Sequence, residues 1–213
     1  ALSIVMSIVS PVVGVKANDA SVEAANRLAA LGVIVDNAAN PSAYNLDGSI
    51  TRREMLKVMM NLSSVEVTNT CEGKFSDLPT TDWGCKYAEA ALKAGFIAAN
   101  AKFRPNDFVT EAEALKMIMQ ARGVAAAEGV EPWGEAYRQA AVTAGILSAE
   151  TTVSATSAAK RSMVIVSADS AVSATTGTSS EEDDTEVDLG DLLGDLFDED
   201  GEDLGTNSGS TST

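Results

Sequence analysis

Between Ala43 and Glu54 the chain reads AYNLDGSITRRE, and its oxygen-bearing residues are spaced as a calcium loop would space them. With Ala43 as position 1, Asn45, Asp47, Gly48, Ile50 and Glu54 fall at positions 3, 5, 6, 8 and 12. That is close to D-x-[DN]-x-[DN]-G-x5-E, in which side-chain oxygens surround the ion and glycine makes the sharp turn. The first Asp, a direct ligand in that pattern, is missing. The same residues also read as a turn entering a helix, with Thr51 as N-cap and Glu54 as its capping-box partner. Other chemistry is limited by composition. The chain has no histidine, which removes the usual general base of serine and cysteine hydrolases and the commonest zinc ligand. Two cysteines do not make a zinc site alone, and no carboxylate pair stands out. The expectation is a protein that is not an enzyme and that uses no cofactor or metal.

The elements that would hold these residues are bounded by the bulk numbers. A chain of 213 residues has room for one or two domains with a sizeable core. The net charge of −16 is unevenly spread. Glu181 to Asp203 contains 13 acidic residues and no base, leaving 18 acids against 15 bases elsewhere. The remainder is nearly neutral and has no basic stripe, so nucleic acid is not expected as a partner.

The N-terminal run ALSIVMSIVSPVVGVKA is uncharged through Val15 and too short for a comfortable membrane span. Val15-Lys16-Ala17 is a small-x-small pattern, and residues 1–17 read as the end of a secretory signal, with cleavage before Asn18. A retained hydrophobic helix or strand is the plainer alternative. Export permits a disulfide between Cys71 and Cys85, worth up to about 3 kcal/mol by loop entropy.

Self-similarity decides the meaning of the opening stretch. The segment DWGCKYAEAALKAGFI from Asp82 and the segment PWGEAYRQAAVTAGIL from Pro132 align without a gap at a period of 50 residues. Trp83 and Trp133, Tyr87 and Tyr137, and Ala94-Gly95 and Ala144-Gly145 coincide. A weaker copy, SVEAANRLAALGVIV, has Leu31-Gly32 at the Ala-Gly position. Each reads as a helix closed by a left-handed glycine at Gly32, Gly95 or Gly145. A second helix follows in each: TRREMLKVMMNL from Thr51, TEAEALKMIMQA from Thr110, and AKRSMVIV from Ala159, where Ser162 stands for the Glu. Glu54 thus recurs as Glu113, behind a window holding Lys102, Arg104, Asn106 and Asp107 where calcium ligands and the glycine should be. What repeats is the Thr-x-x-Glu cap, Thr51 with Glu54 and Thr110 with Glu113.

The middle copy now carries a recognisable set: Phe75-Ser76-Asp77, Trp83, Tyr87, Ala94-Gly95-Phe96-Ile97, Phe103-Arg104-Pro105 and Val109-Thr110-Glu111-Ala112-Glu113. It resembles an S-layer homology repeat, whose pattern is roughly F-x-D, W, A-x-x-x-G-[IL], F-x-P and I-T-R-x-E. Ile50-Thr51-Arg52-Arg53-Glu54 matches the last part. The resemblance covers about residues 19–172 and implies an all-α fold. Three tandem helix-loop-helix repeats, at 19–64, 73–124 and 129–172, would form a pseudo-threefold helical bundle. It implies noncovalent anchoring at the cell surface, in the envelope or S-layer, by binding an acidic secondary cell-wall or surface polysaccharide in grooves between repeats. No catalytic residues come with it. The Arg of T-R-x-E falls on Arg52, with Glu111 at that place in the second copy, and Lys160 with Arg161 beside it in the third. Trp83 and Trp133 are candidates to stack on a sugar ring or to anchor a helix start. Asp77 reads as a turn residue. Two alternatives stay open: an assembly module contacting other surface-layer proteins, and a calcium-dependent module using Asn45, Asp47 and Glu54 or the acidic tail.

From Ser173 to Thr213 the composition turns to Ser, Thr and Gly and then to acids, which reads as a disordered tail or linker. Inside it Leu189, Leu192, Leu193, Leu196 and Phe197 fall on one helical face, the pattern of a short docking segment.

Overall fold

The computed structural model describes residues 17–177. Among them are six α-helices: α1 (Ala17–Ala30), α2 (Arg52–Leu62), α3 (Cys85–Lys93), α4 (Glu111–Ala121), α5 (Trp133–Thr143) and α6 (Arg161–Gly177). A 3-10 turn spans Pro41–Tyr44. The described residues contain no β-strand, only three isolated bridges, so the protein is all-α.

The helix limits follow from local chemistry. At the start of α4, Thr110 Oγ1 accepts the Glu113 amide at 3.2 Å and Glu113 Oε2 accepts the Thr110 amide at 2.8 Å. At α2, Glu54 Oε2 accepts the amide and hydroxyl of Thr51 at 2.9 and 2.7 Å. The α4 bonds are reciprocal, and at both helices the Glu satisfies an amide donor that the helix end leaves open. Helices α1, α3 and α5 stop two residues before Gly32, Gly95 and Gly145, whose φ values are 74°, 76° and 69°. The amides of Val33, Phe96 and Ile146 then reach back to Leu28, Ala91 and Ala141 carbonyls at 2.8–2.9 Å, which closes each last turn. No atom lies within 4 Å of a Cβ built on these glycines; the backbone twist, not space, calls for Gly.

The chain is organised around a closed ring. The Ile50 amide donates to the Ala159 carbonyl at 3.0 Å, Val109 to Ile50 at 3.3 Å, and Ala159 to Val109 at 2.9 Å. All three residues are buried, and each spends one donor and one acceptor, so no hub peptide is left unpaired by its burial. Just outside the ring, Arg52 donates its amide to Asp107, Glu111 to Ser157, and Arg161 to Gly48, at 2.8, 3.1 and 2.9 Å.

The helices pair by a swap. The first helix of each unit packs on the second helix of the unit before it: α3 on α2, α5 on α4, and α1 on α6 to close the circle. Helix α4 also packs on α2 and α6. Two apolar clusters result, one around Leu28, Met55, Leu115, Ile118, Met119 and Val164. The other surrounds Leu56, Met59, Met60, Phe75, Leu78 and Phe103. Each such fully buried side chain contributes about 1.5–3 kcal/mol. Arg27 ties α1 to α6 through Asp169 at 2.6 Å.

Three sequence expectations change. The ring pairs Arg161, not Lys160, with the place of Arg52, because the Arg161 amide makes the bond to Gly48 that Arg52 makes to Asp107. Lys160 takes the cap place of Thr51 and Thr110, and Met163, not Ser162, that of Glu54. The expected tail boundary at 173 also moves, since α6 continues to Gly177; Ala168 and Ala171 are buried in the face that carries it. Helix α3 starts at Cys85, two residues beyond Trp83, while α5 starts at Trp133 itself. The export signal, apart from Ala17, and the acidic tail with its leucine face lie outside the described residues.

Candidate functional site

The residues that open the second helices meet across units. Arg161 Nη2 lies 2.5 Å from Glu54 Oε1, and Arg52 Nη2 lies 3.5 Å from Glu113 Oε1. In both arginines Nε is buried without a hydrogen-bond partner. Burial opposes ionisation of Glu54, but hydrogen bonds from Arg161 and from the hydroxyl and amide of Thr51 outweigh it and hold the carboxyl below the ordinary glutamate range. Ring symmetry calls for a third pair between positions 111 and 163. These hold Glu111 and Met163, so cation and acid are lost together, and Glu111 instead accepts the Ser154 amide at 2.8 Å.

One turn beyond each paired Glu stands a lysine. Lys57 Nζ lies 5.8 Å from the Trp83 ring centroid and Lys116 Nζ 5.5 Å from that of Trp133. Both tryptophans are 45 % exposed and meet Tyr87 and Tyr137 edge-on at 6.2 and 6.3 Å. The helix swap makes this possible, since α3, with Trp83 two residues before it, and α5, with Trp133 as its first residue, pack on α2 and α4. Trp83 also carries the Arg53 guanidinium at 5.4 Å, held by Asp82 at 2.8 Å.

Three grooves flank the ring. The first encloses about 240 Å3 and brings Arg161, Glu54, Lys57 and Trp83 to a wall that includes Ile34, Asn37 and Tyr44. The second encloses about 230 Å3 around Arg52, with Ile97, Asn100 and Phe103 in the matching places and with Lys102 and Arg104 added. The third, about 690 Å3, is lined by Leu147, Ser148, Met163, Val166 and other uncharged residues. Val166 stands where the other two units have lysine. An Arg fork beside an exposed Trp can take a carboxylate and stack a sugar ring; the first groove has both in its lining, and the second has the Arg, with Trp133 at the neighbouring Lys116.

The structure therefore brings together Arg161 with Trp83, and Arg52 with the start of α4, whose Lys116 meets Trp133 of α5. Lys160, the remaining candidate, is exposed and lines none of these grooves. Sequence reading missed Lys57, Lys116, Asn37 and Asn100. The two lysines were findable, because each follows the Leu that aligns after its Thr-x-x-Glu cap. Asp77 accepts the Phe103 and Arg104 amides at 2.8 and 2.9 Å. Burial raises its pKa, but these backbone bonds outweigh that and leave the carboxyl below its ordinary value.

The calcium pattern meets an obstacle at its last position. Both oxygens of Glu54 are engaged, one by Arg161 and one by Thr51. Among the described residues the one group of close metal-ligand atoms is Cys71, Cys85 and Glu89. The two sulfurs are joined as a disulfide, with Cα atoms 5.8 Å apart. Glu89 meanwhile accepts the amides of Glu72 and Lys74 at 2.7 and 2.9 Å. No described helix is long and apolar enough to cross a membrane.

Comparison with known proteins gives the following. The S-layer homology domain family profile matches residues 74–115. An amylopullulanase of Thermoanaerobacterium thermosulfurigenes is 35 % identical over 79 residues, which is 37 % of this chain and 4 % of that protein. An endo-1,4-beta-xylanase A of Thermoanaerobacterium saccharolyticum is 35 % identical over 71 residues, 33 % of this chain and 6 % of that protein. The similarity spans only a small part of each relative.

Proposed function

We propose, from the match of residues 74–115 to the S-layer homology domain profile, that the chain is a noncovalent cell-surface anchoring module that binds an acidic cell-wall polysaccharide. The observation that carries this reading is the duplicated set of Arg, Glu, Lys and Trp at two junctions between units, against its joint loss at the third. Independent structural roles would not require four residue types to come and go as a unit. In each site the guanidinium fork receives the anionic group of a sugar unit, and the Glu keeps that fork oriented when the site is empty. The exposed Trp face accepts the apolar face of a sugar ring, and the Lys adds a mobile cation. Polysaccharide with many such units would engage both grooves of one chain, so that weak contacts combine by effective concentration. The module does no chemistry. It works outside the cytoplasm, consistent with the signal-like residues 1–17.

A second reading, contact with other surface-layer proteins, is favoured by the third groove alone. It is uncharged, and Val166 in it is 40 % exposed.

Cosedimentation of the whole chain with protein-stripped wall sacculi tests the proposal. Arg161→Ala and Arg52→Ala should each weaken pelleting, their combination should abolish it, and Lys160→Ala should have no effect. A double variant that pellets like the wild type would sink the groove assignment. If the wild type stays in solution, glycan anchoring fails and the assembly reading replaces it.

A further inference from the structure

The two charged grooves share a plan but not their rims. Ile34, Asn37 and Tyr44 of the first have Ile97, Asn100 and Phe103 as counterparts in the second. One step before Tyr44 stands Ala43, whereas one step before Phe103 stands Lys102; one step after, Asn45 is replaced by Arg104. Lys102 and Arg104 both line the second groove beside Arg52.

Two further observations set the second groove apart. Glu113 sits 3.5 Å from Arg52, beyond the length of a charge-assisted hydrogen bond, while Glu54 holds Arg161 at 2.5 Å. Arg52 therefore offers its donors to a ligand with less internal competition. Arg104 has a left-handed backbone at φ 60°, as Asn45 does at φ 49°. Asn is at home there and Arg is not. The strain is held by the bonds that the Phe103 and Arg104 amides donate to the Asp77 carboxylate. Strained residues held in place this way cluster at binding sites. The Arg104 side chain is 60 % exposed, with Asp107 a loose 3.7 Å away, a pairing that solvent leaves weak.

We infer that the grooves differ in selectivity: the Arg52 groove takes the more highly charged unit, one bearing two negative charges, and Lys102 and Arg104 read the second charge. This rests on the reading of the grooves as anion sites.

The test is an amide chemical-shift titration of the full chain with two probes, glucuronate as monoanion and glucose 6-phosphate as dianion. Ile97 and Asn100 report on the Arg52 groove, and Ile34 and Asn37 on the Arg161 groove. The dianion should bind the Arg52 groove about tenfold more tightly than the other, the scale allowed to two solvent-screened cations. The monoanion should show far less preference. Lys102→Ala with Arg104→Asn, which installs the residues of the sibling groove, should bring the dianion to parity. The response at Ile34 and Asn37 should stay unchanged, which also reports that the variant is folded. Parity in the wild type, or a preference that survives the double substitution, overturns the inference. If the wild type also pellets with wall sacculi, parity overturns it alone. Silence of both grooves to both probes overturns it together with the anion-site reading.

Discussion

The Arg161–Glu54 and Arg52–Glu113 pairs join the same residue types across the same kind of interface at different distances, so each is a control for the other. The perturbation is a double-mutant cycle at each pair, with Arg→Met and Glu→Gln made singly and together. Opposite charges at about 4 Å are worth about 4 kcal/mol at an effective dielectric near 20. Water reaches 23 % and 32 % of the Arg161 and Glu54 side chains, which cuts that figure. The short hydrogen bond keeps the pair above the range of exposed ones. A coupling of about 1–2 kcal/mol is expected for Arg161–Glu54, against about 0.5 kcal/mol or less for Arg52–Glu113. Glu54→Gln also touches the Thr51 cap, but that cost appears in both arms and cancels. Urea unfolding of the wild type and each set of variants at neutral pH gives the couplings. A coupling for Arg161–Glu54 no larger than that for Arg52–Glu113 would refute the claim that Arg161 is the more tightly held fork.

Two further outcomes are expected. Glu54, Asp77 and Glu89 all have carboxyl pKa values below ordinary, so the unfolded chain binds more protons than the native one in acid. Stability should hold at neutral pH and fall as pH drops from the ordinary glutamate value of 4.5 through the depressed values; a Tm that stays level or rises between about pH 5 and about pH 3 would contradict this. Replacing Cys71 and Cys85 with Ser should lower stability by up to about 3 kcal/mol, read by urea unfolding of oxidised wild type against the variant, and no loss would show that the loop entropy is offset elsewhere.

The helices and their limits were legible in the sequence because their causes are local. Thr51 and Glu54, or Ala94 and Gly95, act within one turn, and spacing alone exposes them. The third unit was legible in outline but not in register. Its cap motif has lost both Thr and Glu, so matching Lys160 to Arg52 by charge was the natural choice. The true register is set by a hydrogen bond from Arg161 to Gly48 that no local pattern encodes. The grooves were the least visible part. Arg161 and Glu54 are 107 residues apart in the chain, and Trp83 reaches Lys57 only because α3 packs on the preceding unit's helix. The extension of α6 to Gly177 was hidden by composition, since Ser and Thr look like linker until Ala168 and Ala171 are seen buried beneath them.

The ring and the helix swap together separate the unit of heredity from the unit of folding. Residues 74–115 form a sequence module, yet α3 within them needs α2, α4 needs α5, and the amide of Val109 needs the carbonyl of Ile50. A polypeptide ending after the second unit would leave the Ile50 amide and the inner face of α1 without partners. During synthesis α1 is made first and waits for α6, the last helix of the circle. Adding or deleting one repeat would therefore not lengthen or shorten a stack, as in an open solenoid; it would leave a circle that no longer closes.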